Sequence, residues 1–400
     1  MSLETRLAAL VGRLGQETKA ARPARPGGFV AGSSGTRRAQ FAFGCGGMDT
    51  VVTHDTGHQR MPFQLPVGVK QWRLCISNAP PMGAVTAPAI NCTGVWFGPA
   101  YRDPTTGNPN GWYGAGNPTQ AIAAFTIPAN GGEYRSPWVT TASLLPSDPS
   151  KAYVISMGWT KTVNGSTIYR GCGGAANNTT AADAAASGPI IGINQGVMFS
   201  VAIEYEFAGS NKIVLAGPGD SLTEGYGPTL NMNNWQHRFS MREKLPMVTT
   251  ADFGSSAQQW AAAAITEPGY KRIIDGGFNI DAAIVHLGTN DLNSGRTLAQ
   301  IQADLYAVRN KLVTNLGIKE IYFTTIAPRN LAAAPEAVRK TVNTWLTSNQ
   351  PDVTEVFDFK SALETTIDGV TLRTDSSFDG IHWTNYGTLR ASLAIPSIAP

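Results

Sequence analysis

The sequence predicts two structural halves: an antiparallel β-sandwich or jelly roll over residues 27–210, and an α/β domain with a doubly wound parallel five-stranded sheet over residues 211–400. Three observations lead there. In the first half, short β-type runs are separated by stretches rich in Gly, Pro, Asn and Ser, the pattern of an all-β fold with long loops. In the second half, apolar runs alternate with stretches of helical periodicity, the pattern of a parallel sheet covered on both faces. The length, 400 residues, also exceeds what one hydrophobic core usually organises.

Residues 1–26 differ from both halves. Leu3, Leu7, Leu10 and Leu14 are spaced four, three and four apart, a heptad seam weakened by Gly12 and Gly15. One reading is a homo-oligomerisation segment, a trimer being the expected state. The other is a frayed amphipathic helix packed on the β half, since two heptads do not sustain a helix alone. The basic, Pro/Gly-rich "ARPARPGG" follows as a linker.

In the β half, "KQWRLCISNA", "AINCTGVWFG", "AIAAFTIPA", "KAYVISMGWT" and "GVMFSVAIEYEF" read as strands, with a long loop from Gly98 to Pro118. In the α/β half, the strands are "KIVLAG", "MVTTADFG", "DAAIVHLG", "EIYFTTIA" and "TEVFDF". The helices between them are "NNWQHRFSMREK", "AQQWAAAAI", "LAQIQADLYAVRNKLV" and "PEAVRKTVNTWLTSN".

Bulk properties narrow the function. With 42% hydrophobic and 15% charged residues the chain reads as folded and soluble, and a net charge of +3 without a long Lys/Arg run argues against a nucleic-acid partner. The first twenty residues hold only "LAALV" as an unbroken apolar stretch, too short for a Sec signal core or a membrane span. The four cysteines (Cys45, Cys75, Cys92, Cys172) include no C-x-x-C pair and no His at zinc-site spacing, so no metal or other cofactor is expected; they could form two disulfides, but without a signal peptide buried thiols are the expectation.

Chemistry concentrates at the ends of the apolar runs in the second half. The first ends at Gly219-Asp220-Ser221-Leu222, the second at Phe253-Gly254 and the third at Gly288-Thr289-Asn290-Asp291, while "DGIHW" (Asp379 to Trp383) follows the last. In a doubly wound sheet these places meet at the carboxyl edge. Ser221 alone reads equally as a helix N-cap or a nucleophile. Asp379 and His382 are three apart, so one helical turn would put both on one face. Together the loops supply a nucleophile, a base, an orienting carboxylate and oxyanion donors, the set acyl transfer needs. His286 reads as a core or supporting histidine and His237 as a helix residue, while His54 and His58 have no nameable partner. Trp383 reads either as a substrate-contacting wall or as packing.

These blocks, in this order and each after a strand, resemble those of the SGNH, or GDSL, hydrolase family. The resemblance covers roughly residues 211–400 and implies a flavodoxin-like sheet. It also implies Ser221 as nucleophile, His382 as base, Asp379 as its orienting carboxylate, and an oxyanion hole from the N–H groups of Ser221 and Gly254 and the amide of Asn290. Many members carry two glycines in the second block; here Gly254 stands alone. Asp220 and Asp291 are expected to hold loop backbone.

A β-sandwich ahead of such a domain resembles the arrangement of some carbohydrate esterases. Together with the leucine seam and the lack of an export signal, it is also similar to phage tail proteins that deacetylate surface polysaccharides. The expectation is therefore an esterase removing O-acetyl groups from a carbohydrate, located in a virion or otherwise in the cytoplasm. Its alternatives are a general short-chain esterase or lipase with a structural β half, or a non-catalytic receptor-binding protein. Trp72, Trp96, Trp112, Trp138 and Trp159 read either as sandwich core or as sugar-stacking platforms.

Overall fold

The computed structural model describes residues 35–45, 48–50, 55–79, 86–102, 109–113, 118–166, 168–178, 195–228, 230–348, 350, 352–365 and 369–398. The leucine seam, the basic linker, His54 and the side chain of Trp112 lie outside the described residues.

The first half builds two antiparallel sheets. One is four-stranded, in the order Thr36–Gly44, Ser200–Ala208, Val69–Ser77, Glu133–Arg135. The other is nine-stranded, its main path running Gln195–Met198, Ile168–Asn178, Thr56–Phe63, Tyr153–Lys161, Ile90–Arg102, Pro109–Tyr113. Phe41 and Phe43 of the smaller sheet meet Phe63 of the larger, with Phe43 and Phe63 edge-to-face at 5.7 Å, and Trp72 meets Phe97 at 5.9 Å. Aromatic area buried between facing sheets is the main apolar contribution here.

The stretch from Gly98 to Pro118, expected to be one long loop, is partly strand. Ile90–Arg102 continues past Gly98 and pairs with Pro109–Tyr113 through Ala100↔Tyr113 and Arg102↔Pro109. Pro109 has no N–H to give to a ladder, and here it stands at the start of an outermost strand, the kind of position sheets allow it.

The second half forms the parallel sheet. Its strands are β1 (Val214–Gly219), β2 (Met247–Ala251), β3 (Ala282–His286), β4 (Glu320–Thr324) and β5 (Glu355–Phe357), in the order β2-β1-β3-β4-β5. Every residue of β1 and β3 is buried, because helices cover both faces of such a sheet. The helix Leu298–Leu316 shows how the sequence builds that cover. Thr297 and Gln300 form a capping box at its start, Ile301, Leu305, Val308 and Leu312 face the core at helical spacing, and Gly317 ends it in a left-handed turn. With β1 central and the chain leaving it first to one side and then to the other, the loops after β1 and β3 diverge, which opens a crevice at the carboxyl edge.

The two halves share a hydrophobic core, which runs from Ala39, Phe41 and Ile203 to Ile213, Leu215 and Val248. Polar contacts tie the same seam: Arg37 donates to the Asn211 carbonyl at 2.8 Å and to Asp281 at 2.6 Å, and Arg272 donates to Ser200 Oγ at 2.6 Å. All four cysteines are buried free thiols. Among the described residues, no helix is long and apolar enough to cross a membrane.

Phe43 stands at the centre of the sandwich, so Phe43→Ala should destabilise the protein by ~3–5 kcal/mol through lost burial and the cavity left behind. Urea unfolding of wild type and variant measures this. A loss below about 1 kcal/mol would mean that the surrounding rings close the gap.

Candidate active site

β1 ends in the sharp turn that carries Ser221. Asp220 is the cap of the short helix Ser221–Glu224, its Oδ1 accepting the Leu222 N–H at 2.9 Å. Ser221 is therefore the first helical residue and not the cap, and its hydroxyl is used elsewhere: Oγ lies 3.0 Å from His382 Nε2. His382 Nδ1 lies 2.7 Å from Asp379 Oδ2. With Nδ1–H donating to the carboxylate, Nε2 presents a lone pair to the Ser221 hydroxyl, the arrangement a general base needs.

The sequence expected a helical turn to bring Asp379 and His382 together. The structure does it with a bend. Asp379 Oδ1 accepts the backbone N–H groups of Ile381 at 2.9 Å and His382 at 2.7 Å, and Gly380 between them has φ of 82°. A residue with a Cβ would be strained at that φ, so glycine is favoured here; the Asn330 side chain beside it could shift to make room.

The second and third blocks lie on the same edge and are tied to it by hydrogen bonds. Asp252 N–H, at 3.0 Å, and Ser255 Oγ, at 3.1 Å, both donate to the Gly219 carbonyl, which brackets Gly254 beside the start of the Ser221 turn. Gly254 has φ of 77° and an open flank, so its backbone is presented to solvent. Asn290 Nδ2 donates one hydrogen to the Ser255 carbonyl at 2.8 Å, and a carboxamide carries two. Asp291 accepts the N–H groups of Ala257 at 2.8 Å and Gln258 at 3.2 Å, which fixes the second loop to the third. The first N–H of a helix has no acceptor within the helix, so Ser221 N–H is a further donor at this edge.

The model of the GDSL-like Lipase/Acylhydrolase family matches residues 219–388. Those residues form a GDSL-like lipase/acylhydrolase domain. The match supports a carboxylic ester hydrolase. No curated protein matches the chain. Among solved structures, the chain is similar to a GDSL-like lipase from Bacteroides thetaiotaomicron VPI-5482, at 14% identity over 46% of this chain and 85% of that one, with a TM-score of 0.33. It is also similar to a carbohydrate esterase family 2 enzyme plus carbohydrate-binding domain from Corynascus thermopiles, at 10% identity over 89% and 97% of the two chains, with a TM-score of 0.39. A third is a family two carbohydrate esterase from Clostridium thermocellum solved with cellohexaose, at 11% identity over 88% and 95%, with a TM-score of 0.38.

The other groups singled out by sequence are buried side chains. His286 is buried on β3 with Nδ1 2.5 Å from Thr324 Oγ1, and burial pushes its pKa down to about 3, so it stays neutral. His237 lies buried in the helix Trp235–Glu243 and is likewise pushed down to about 3 by burial and by the charge of Arg238. His58 is buried in the nine-stranded sheet. Trp383, expected as a candidate substrate contact, is only 1% exposed and packs against His286 and Phe359. Its ring belongs to the core, because the bend that exposes His382 turns the next side chain inward. Among the described residues, no cluster of three or more His, Cys, Asp or Glu is placed to hold a metal ion.

Sequence reading missed the aromatic surroundings of His382. Tyr226 meets the imidazole edge-to-face at 4.5 Å, while Phe253 and Phe378 lie roughly parallel to it at 6.2 and 6.1 Å. Phe378 is 55% exposed. The signal was present, since each ring is one to five residues from a block residue, in "SLTEGYG", "DFG" and "SFDG". Arg329 was also missed. It follows β4 in "TTIAPRN" and is buried, with Nη1 donating to the carbonyl and hydroxyl of Thr289 at 3.0 and 3.1 Å.

Burial lowers the His382 pKa below the ordinary imidazole value; the Asp379 hydrogen bond and charge oppose this, and the positive charge of Arg329 adds to it. A base must be unprotonated to act, so the acid limb of kcat/KM should lie below pH ~6.5, the value of a free imidazole. Asp379→Asn removes a charge that raises the His382 pKa and should move that limb further down as the rate falls. A pH–rate profile of both proteins tests this; a limb that rises in the variant would mean another group titrates.

Proposed function

We propose that this protein is a serine esterase that removes short acyl groups, acetyl above all, from hydroxyls of a carbohydrate. The observation that carries the reading is the hydrogen-bonded chain from Ser221 Oγ through His382 to Asp379, beside the Asn290 carboxamide. In this reading Ser221 Oγ attacks the ester carbonyl and its proton passes to His382 Nε2. The N–H groups of Ser221 and Gly254 and the second Asn290 N–H receive the oxyanion. As the tetrahedral adduct collapses, His382 returns the proton to the leaving alcohol. Water then attacks the acyl-enzyme with His382 again as base, which releases the carboxylic acid and restores Ser221. Asp379 keeps the imidazole in the required tautomer and offsets its charge.

The openness of the site supports a small acyl group on a large alcohol. Gly254, Phe378 and Asp379 are all exposed, so a bulky polymer can approach while a short acyl group meets the oxyanion donors. The rings of Tyr226, Phe253 and Phe378 offer apolar surface for the face of a sugar ring. They equally favour a second reading, a general short-chain esterase in which the same rings hold the acyl chain.

Acetate release from an acetylated polysaccharide, compared with cleavage of p-nitrophenyl esters of rising chain length, separates the two. Rates on the esters should fall beyond acetyl and acetate should be released from the polymer. Rates that rise with chain length, with no acetate released, favour the second reading. Ser221→Ala should abolish both activities, and a folded variant at wild-type rate would remove Ser221 from the mechanism. Asn290→Ala should cost about a hundred- to a thousand-fold in kcat with KM little changed, because the donor acts where charge develops. A rise in KM alone would make Asn290 a substrate-holding residue.

A further inference from the structure

The loop after β4 belongs to none of the matching motif blocks, yet it touches two of them. Its backbone is held from below by buried groups. Asn343 Oδ1 accepts the Ile326 N–H at 2.8 Å, and the Ile326 carbonyl accepts from Asn343 Nδ2 at 2.9 Å and from Arg339 Nη1 at 3.0 Å. From this anchored base, Arg329 reaches the third block and holds both the carbonyl and the hydroxyl of Thr289. The next residue, Asn330, fills the space beside Gly380 in the Asp379–His382 bend. Arg329 is 8% exposed, so these contacts are made by a guanidinium taken largely out of water, where a two-acceptor grip is hard to exchange for solvent.

Thr289 immediately precedes Asn290, whose carboxamide is already fixed on its other side by the Ser255 carbonyl. We propose that Arg329 is a positioning residue of the ester-cleaving site, holding the Thr289–Asn290 turn so that the free N–H of Asn290 meets the oxyanion. This inference rests on the esterase reading given above. Arg329 also acts on the site at a distance. Its positive charge disfavours the protonated form of His382; burial lowers the pKa of Arg329 itself, and the charges of Asp220 and Asp379 oppose this. Asp379 and Arg329 are the two charged groups that act on His382, with opposite signs.

The test uses the full chain with Arg329→Met, Arg329→Lys, Asn290→Ala and the Arg329→Met/Asn290→Ala double variant, assayed on a p-nitrophenyl acetate ester. Arg329→Met should lower kcat by about ten- to a hundredfold, the range expected for a misplacement of about 1 Å, with KM within about twofold of wild type. In the Asn290→Ala background the same change should cost little more, since residues acting through one donor do not add. The acid limb of kcat/KM should rise in Arg329→Met and stay in place in Arg329→Lys, which keeps the charge. Losses that multiply in the double variant, or a change confined to KM, would overturn the proposal. If Arg329→Met does not fold, the Arg329→Lys/Asn290→Ala cycle decides on the same criterion of non-additivity. A Ser221→Ala protein with wild-type activity would instead sink the serine-esterase reading by removing Ser221 from the mechanism, whereas a dead Ser221→Ala protein beside a fully active Arg329→Met protein would sink this proposal alone.

Discussion

The carbonyl of Gly219 is the point on which the site turns. It is the last backbone acceptor of β1 before the chain breaks into the Ser221 helix, and it is buried, so it needs partners from the protein itself. It receives three: Asp252 N–H, Ser255 Oγ and Trp260 Nε1. Trp260 also donates to Ser255 Oγ at 2.9 Å and meets Tyr270 edge-to-face in the core. The loop bearing Gly254 is therefore bound to the strand end that bears Ser221 and to a fully buried tryptophan. From the Ser255 carbonyl the chain of contacts continues to Asn290, then through Thr289 to Arg329. An active-site edge made of separate loops becomes rigid because each loop satisfies a buried polar atom of the next.

A second constraint binds the β half to the same helix. Glu224, at the end of the Ser221 helix, is buried, and its Oε1 accepts the backbone N–H groups of Cys45 at 3.1 Å and Cys172 at 3.0 Å from the antiparallel sheets. Cys172 Sγ adds a contact to Oε2 at 3.3 Å. Burial pushes the Cys45 thiol up to about 12, and the charge of Glu224 adds to this. Cys172 is likewise raised well above the ordinary thiol value, by burial and by Glu224, so the thiols stay protonated and act as donors or packing. A buried carboxylate is costly unless several donors surround it, and here those donors come from the other half of the molecule. The β half is in this sense part of the scaffold of the nucleophile turn, whatever else it binds.

What was legible in the sequence was the chemistry that needs rare residue types at strand ends. Ser221, Gly254, Asn290, Asp379 and His382 stand at the ends of apolar runs; the alternation of strands and helices followed from periodicity, whereas the flavodoxin-like sheet was what the family resemblance implied. What was not legible depended on side chains whose type is ordinary. Tyr226, Phe253 and Phe378 are of ordinary type for loops, and only folding gathers them on one imidazole. Arg329 went unread because nothing local reveals that its partner is Thr289, 40 residues away. The strands Thr36–Gly44, Thr56–Phe63 and Ile168–Asn178 were passed over because "TRRAQFAFG", "TGHQRMPF" and "IYRGCGGAANN" carry too many polar or glycine residues for a hydrophobic signal. Their pairing is decided by neighbouring strands, a tertiary effect that local pattern does not encode.

The placement of the tryptophans bears on where a sugar would be held. Trp72 and Trp159 are buried in the sandwich core, and Trp72 spends its N–H on the Leu144 carbonyl at 2.7 Å. Trp138 is half-buried, with the guanidinium groups of Arg38 and Arg73 at 5.4 and 4.6 Å from its ring centre, so cation–π contact already occupies it. Trp96 is half-buried on the nine-stranded sheet. Of the described tryptophans, then, none is exposed. The most exposed of the rings beside the reacting serine is Phe378, in the loop that carries Asp379 and His382. In the proposed reading, recognition at the ester and orientation of the base would share one short segment, because a sugar ring resting on Phe378 would contact the loop that also carries Asp379 and His382.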